Sequence, residues 1–190
     1  VEHQTSAVLN FIAHKKIAED IYILDGKKFM FLPKEQRKEL EILCANVDKA
    51  CIEAIKYTTD VHPEVDNMKR MDVFVGHMPA GTSVQNMYYW QQLVDNKEFR
   101  MYDYGTKGNL LHYNQTTPPL IELSKINVPV HMFAGTYDEL ADPTDGKNLT
   151  ASLTGSPNVT LKHYKYGHMI FVWGLETSYL KDVIAVIQDP

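Results

Sequence analysis

The chain has 190 residues, 44% of them hydrophobic and 23% charged, enough for one ordinary domain with a real core and far from a disordered composition. Its 19 Lys and Arg against 24 Asp and Glu give a formal net charge of −5. The acidic excess is spread along the length, so no basic patch exists to neutralise nucleic-acid phosphates. No apolar run approaches the roughly 18 residues of a membrane span, and two cysteines exclude a disulfide-dense scaffold.

The first residue is Val, and no charged-then-apolar leader follows it. The chain therefore reads as a processed product or a piece of something longer. Residues Glu2 to Ile12 have the pattern of a helix already in mid-course. From Pro33 to Ile55 a stripe at Leu40, Leu43, Val47, Cys51 and Ile55 recurs every three or four residues. That spacing fits one helical face or two consecutive helices, with Pro33 suited to a first turn. Cys44 and Cys51 lie within it, seven positions apart. In a continuous helix two turns would separate them by roughly 10 Å, beyond the ~7 Å reach of a disulfide. On that reading they are two small core residues.

A helix is expected over Thr82 to Val94, with Val84, Met87, Trp90 and Val94 on one face. An irregular surface loop follows, carrying Phe99, Tyr102, Tyr104 and Tyr113, whose rings must pack on something. The last third is the most regular. Val128 to Ala134 reads as a buried strand. Leu140 to Leu153 reads as a helix with Asp142 as N-cap and Pro143 at its first position. Val159 to Tyr164 reads as a second strand. Leu175, Tyr179, Leu180, Val183, Ile184 and Ile187 form an amphipathic closing helix. Strand, helix, strand, helix with short links is an α/β unit with parallel strands. Two strands cannot make a sheet covered on both faces, so this end of the chain calls for partner strands and, in isolation, would expose an edge prone to aggregation.

Asp138 follows the first of these strands across Gly135-Thr136-Tyr137, and His168 follows the second across Lys165-Tyr166-Gly167. Both lie just past the carboxyl ends of neighbouring parallel strands, where open α/β sheets collect their active sites. A carboxylate there can fix the tautomer of the imidazole and stabilise its protonated form. The other ring nitrogen can then take a proton from a nucleophile. Asp142 competes for the acid role, but a capping role accounts for it.

No Gly-x-Ser-x-Gly occurs in the sequence. The nearest imitation, Gly81-Thr82-Ser83-Val84-Gln85, lacks the preceding strand and the closing glycine of a nucleophile elbow, and Cys44 and Cys51 read as helix-buried. His163 and His168 are not accompanied by a zinc-binding pattern. Three glycosylation sequons begin at Asn114, Asn148 and Asn158, where chance would give roughly one. All fall in expected loops or on helix surfaces.

His77-Met-Pro-Ala-Gly-Thr-Ser-Val-Gln-Asn-Met87, followed by Trp90, resembles the His-x-Pro-Ala-Gly-Thr-Ser-x-Gln-Asn signature of the acid lipases, the gastric and lysosomal triacylglycerol and cholesteryl ester hydrolases. His112-Tyr113-Asn114-Gln115 with Pro118-Pro119 is similar to the next landmark of that family. Gly135-Thr-Tyr-Asp138-Glu-Leu-Ala-Asp142 resembles its acid motif, and Gly167-His168-Met-Ile-Phe171-Val-Trp173 its histidine motif. The matches run in order over residues 70–190, while residues 1–70 fit loosely. Ile170 stands where the family has an Asp two residues after the His. The family's cap disulfide uses an earlier cysteine, so none carries over to Cys44 and Cys51.

The resemblance implies a partial α/β-hydrolase fold. Residues 1–122 would be a helical cap and lid region, and 123–190 the last two parallel strands and helices of the core. It implies a serine ester hydrolase with Asp138 as charge-relay acid and His168 as general base, the nucleophile Ser missing from this chain and supplied upstream. The chain alone would be inactive. The substrate would be a neutral lipid ester, with transient contact to a lipid interface, no cofactor or metal, and a lysosomal or secreted location. Its partner would be an N-terminal half of the same fold. The rival readings are a non-catalytic lipid- or partner-binding remnant, and another α/β hydrolase, such as an epoxide hydrolase, with an upstream Asp nucleophile.

Overall fold

The computed structural model describes residues 28–29, 34–47, 49, 51–53, 66–78 and 80–188. The helix expected over Glu2–Ile12 lies outside them. Helix α1 spans Lys34–Asn46 and stops there, Val47 being non-helical. Helicity returns at residue 49 and at residues 51–53. The two-helix alternative is therefore the one adopted, and the separation of a continuous helix does not apply. Cys44 and Cys51 are joined in a disulfide with Cα atoms 5.8 Å apart, which corrects the expectation of two unbonded core residues.

The expected stripe is also displaced. Leu43 and Val47 are exposed, whereas Cys44 is buried with Leu40 packed beside it. Residues 40 and 44, four apart, lie one above the other on one helical face. That face meets helix α2, Met71–His77, which follows a 3-10 turn at Met68–Arg70. Cys44, Met71 and Val75 form a buried cluster.

A two-residue antiparallel pair, β1 (Lys28–Phe29) with β2 (Thr82–Ser83), precedes helix α3, Val84–Asn96. Ser83 caps α3 by accepting from the Asn86 N–H at 3.0 Å, and Lys97 ends it in the left-handed region. The buried face is Val84, Gln91 and Val94, with Leu93. Trp90, expected on it, is exposed. The segment expected as an irregular loop contains helix α4, Gly105–Tyr113. Gly105, Gly108 and Asn109 are poor helix formers, so the local signal is weak. Asn109 supplies the missing stability from its buried amide. It accepts from the Tyr104 N–H (3.0 Å) and donates to Asp103 Oδ1 (2.8 Å) and the Thr116 carbonyl (3.0 Å). The rings pack on one another: Tyr104 stacks on His112 at 3.9 Å and meets Tyr102 edge-on at 4.7 Å.

Strands β3 (Val130–Gly135) and β4 (Val159–Tyr164) pair in parallel, in register from Val130↔Val159 to Gly135↔Tyr164. Helix α5, Pro143–Ser152, links them. Asp142 caps it by accepting from the Thr144 N–H at 2.7 Å. A single-turn helix α6, Ile170–Trp173, follows β4, and helix α7, Tyr179–Gln188, closes the chain. Tyr164 donates to Asp182 at 2.5 Å and Lys162 pairs with it at 2.6 Å, tying α7 to β4. The architecture is α/β, a helical region followed by a small parallel sheet with its helices, consistent with a partial α/β-hydrolase-like fold.

β3 is not the buried strand expected. Every residue from Val130 to Ala134 is only half-buried, and α7 has no buried residue at all. Leu175 lies before α7 rather than within it, and is exposed. Among the described residues no third strand joins this sheet, and Leu180, Ile184 and Ile187 of α7 are exposed. Among the described residues, no helix is long and apolar enough to cross a membrane.

Candidate active site

The carboxyl ends of β3 and β4 are stitched together beyond the sheet. The Thr136 N–H donates to the Tyr164 carbonyl at 2.8 Å, and the Tyr137 N–H to the Tyr166 carbonyl at 3.0 Å. The approach is close enough to require glycine. A Cβ on Gly135 would lie 2.2 Å from the Tyr166 carbonyl oxygen. The loop carrying the acid and the loop carrying the imidazole are thereby held side by side.

Asp138 is 6% exposed. Its Oδ1 accepts from the Leu140 and Ala141 N–H groups at 2.8 and 2.7 Å, which fixes the carboxylate plane. His168 Nδ1 lies 3.1 Å from Oδ1 and 3.0 Å from Oδ2. A carboxylate only accepts, so Nδ1 carries the proton and donates, and the neutral ring keeps its lone pair on Nε2. Burial pushes the Asp138 carboxyl upward. The hydrogen bond from His168, the amides of Ala141 and Leu140 and the imidazolium's charge outweigh it, so Asp138 titrates below the usual carboxylate range. It is therefore ionised at neutral pH, able to orient the ring and to stabilise its protonated form. This is the geometry of the acid–base half of a hydrolytic triad.

The structure thus brings Asp138 and His168 together. The other candidates have different roles. Asp142 is occupied as the α5 cap and Ser83 as the α3 cap. Cys44 and Cys51 are disulfide-bonded and are not thiols. His163 is exposed on β4, and no group of three or more metal-ligating side chains occurs among the described residues. Asn114, Asn148 and Asn158 are all exposed. Ile170, in place of the family's Asp, is 2% exposed, so packing occupies that position. Sequence reading did not anticipate the Gly135–Tyr166 contact or the Leu140 and Ala141 amides. The glycine ending a strand and the small Ala-containing turn after Asp138 were the only signals available.

No family model matches the chain. It is 37% identical over 166 residues to lipase member J of Homo sapiens, an alignment covering 84% of this chain and 45% of that protein. It is 36% identical over 155 residues to gastric triacylglycerol lipase of Bos taurus, covering 79% and 36%. With lipase member N of Mus musculus it shares 32% over 184 residues, covering 92% and 44%. The chain is related to the acid lipases. It spans less than half the length of these curated relatives. Lipase relatedness and a hydrogen-bonded His–Asp pair together indicate hydrolase ancestry, with the pair as the catalytic dyad that remains in this stretch.

Proposed function

We propose that this acid-lipase relative contributes Asp138 and His168 to a Ser-His-Asp triad that hydrolyses neutral lipid esters, triacylglycerols or cholesteryl esters. The observation that carries this reading is the Nδ1 contact of His168 with a buried, ionised Asp138 at the carboxyl ends of two parallel strands. The serine would come from a segment upstream of residue 1, since none of the 190 residues forms a nucleophile elbow. In the assembled site His168 Nε2 takes the serine proton as the oxygen attacks the ester carbonyl. The resulting imidazolium, held by Asp138, protonates the departing alcohol. Water, deprotonated by the same ring, then releases the fatty acid and regenerates the serine. Residues 1–122 would cover the acyl-binding cleft as cap and lid, touching lipid transiently, and 123–190 would complete the core. The protein would be lysosomal or secreted, and the exposed Asn114, Asn148 and Asn158 glycosylated.

The test joins the chain to an upstream half bearing the elbow and measures hydrolysis of short- and long-chain esters. The 190-residue chain alone is expected to give none. In the joined protein His168→Ala and Asp138→Asn are each expected to lower kcat by about 10⁴, and Asp142→Asn to leave it largely intact. Near-normal turnover in Asp138→Asn, or turnover by the isolated chain lost on Ser83→Ala, would refute the assignment. The absence of an elbow from the sequence also suits a second reading, a non-catalytic lipid- or partner-binding remnant. Failure of every upstream half to restore turnover would favour it.

A further inference from the structure

The loop bearing His168 is anchored at its other end in the helical region. Met169 and Ile170, directly after the histidine, are buried at 6% and 2%. Ile170 opens α6, and α6 ends on Trp173, whose ring stacks on Phe74 of α2 with centroids 4.3 Å apart and planes 24° from parallel. The Trp173 Nε1 is buried with no hydrogen-bond partner among the described residues, so the ring is placed by packing. That packing is against the cluster of Cys44, Met71 and Val75. The next residue, Gly174, bridges to Asp66 in antiparallel fashion. A Cβ there would fall 1.9 Å from Ile170 Cγ1 and 2.6 Å from the Ile170 carbonyl oxygen, so the turn closing α6 is clamped as tightly as its ring. One element four residues long therefore connects the imidazole to the helices closed by the Cys44–Cys51 disulfide.

We propose that the disulfide-clasped cluster positions His168 through the Phe74–Trp173 ring pair, so that the Asp138–His168 contact responds to the state of the Cys44–Cys51 bond. The inference rests on reading His168 as the general base. Phe74 and Trp173 are positioning residues: they act through α6 on where the imidazole sits. Reduction of the disulfide frees the chain after α1, loosens the cluster under Trp173 and lets the stalk of His168 shift against a carboxylate that is separately held by the Leu140 and Ala141 amides. The acid stays in place while the base moves.

The experiment uses the full 190-residue chain, isotope-labelled and oxidised, and follows the His168 Nδ1 signal by NMR, with Asp138→Asn supplying the position for a lost contact. Trp173→Ala, and separately reduction by a phosphine, are expected to carry the signal more than half of the way to that reference. The backbone amides of Val130–Gly135 are expected to stay in place, showing that the sheet persists. Trp173→Phe, which keeps a ring on Phe74, is expected to return the signal close to wild type. If Trp173→Ala does not fold, Phe74→Leu replaces it with the same expectation. An unmoved signal in the ring variant or after reduction, or no rescue by Trp173→Phe, overturns the proposal. Failure of the underlying reading looks different: in the joined protein His168→Ala would keep its turnover, while these spectra would be unaffected.

Discussion

The helical region and the α/β region solve their burial problems in opposite places. Around α1 and α2 the apolar side chains find one another, and Cys44, Met71 and Val75 are closed off from solvent. In the α/β region the sheet itself is thinly covered, with β3 half-buried along its length and Leu180, Ile184 and Ile187 of α7 exposed at 42%, 51% and 72%. Apart from Leu153 at the end of α5, the buried side chains there are Asp138, Asp142, Tyr166, Met169 and Ile170 at the rim. The rim that carries the His168–Asp138 pair is closely packed, and the sheet beneath it is only partly covered. Apolar burial contributes about 25 cal/mol per Å² removed from water, so the stability of the described residues should come mainly from the first region and from the rim.

The largest effect expected from this contrast is in the helical cluster. Met71→Ala removes a fully buried side chain against the disulfide and should destabilise by about 2–5 kcal/mol. A urea titration followed by circular dichroism measures it. A loss no greater than that of a surface substitution would mean the cluster does not anchor the fold.

Next in size is the rim. Gly135→Ala places a methyl 2.2 Å from the Tyr166 carbonyl, a backbone atom that no rotamer change relieves. The expected cost is about 1–3 kcal/mol, together with loss of the His168–Asp138 NMR signature. A variant of unchanged stability and unchanged imidazole spectrum would show that the two loops can part without consequence.

The parts of this molecule legible in the sequence are those whose signals are local. The β4 boundaries, the Asp142 cap with Pro143 behind it, and the Asp138–His168 placement all follow from turn residues, alternation and chain order within a few residues. What escaped was decided across space. The halt of α1 at Asn46 has no proline or glycine to announce it, and without it the Cys44–Cys51 bond looks impossible. Helix α4 owes its existence to the Asn109 amide reaching Tyr104, Asp103 and Thr116, while its own residues argue against helix. Trp90 and Leu43 sit at sound helical spacings but on exposed faces. Periodicity says that a face exists, and only the partner element says which face is covered.

A smaller effect is expected from acid. The Asp138 carboxyl titrates below its ordinary value of about 3.9. A depressed native value means that ionised Asp138 stabilises the fold fully above the unfolded value, and that this contribution disappears as pH falls through the native one. Once His168 is protonated, the stability difference between wild type and Asp138→Asn should therefore shrink as pH falls from the ordinary carboxylate range through the native value. Urea midpoints at stepped pH decide the matter. A difference that grows across that range would reverse the assigned sign and place the carboxylate's partners elsewhere.

The smallest effect is the most discriminating for the α/β region. Ile184 sits mid-way along α7 and is 51% exposed. With no third strand on this sheet among the described residues, Ile184→Ser should change stability by no more than about 0.5 kcal/mol, while lowering self-association, because the substitution removes apolar surface from water-facing helix. Joined to an upstream half, the same substitution should become costly, approaching the penalty of a buried isoleucine as the added layer meets α7. The measurement is a pair of melts, with and without that half, alongside sedimentation of the isolated chain. Equal and small effects in both would mean that α7 faces solvent in the assembled protein as well. The exposed stripe would then be a property of the finished surface and not the print of a missing neighbour.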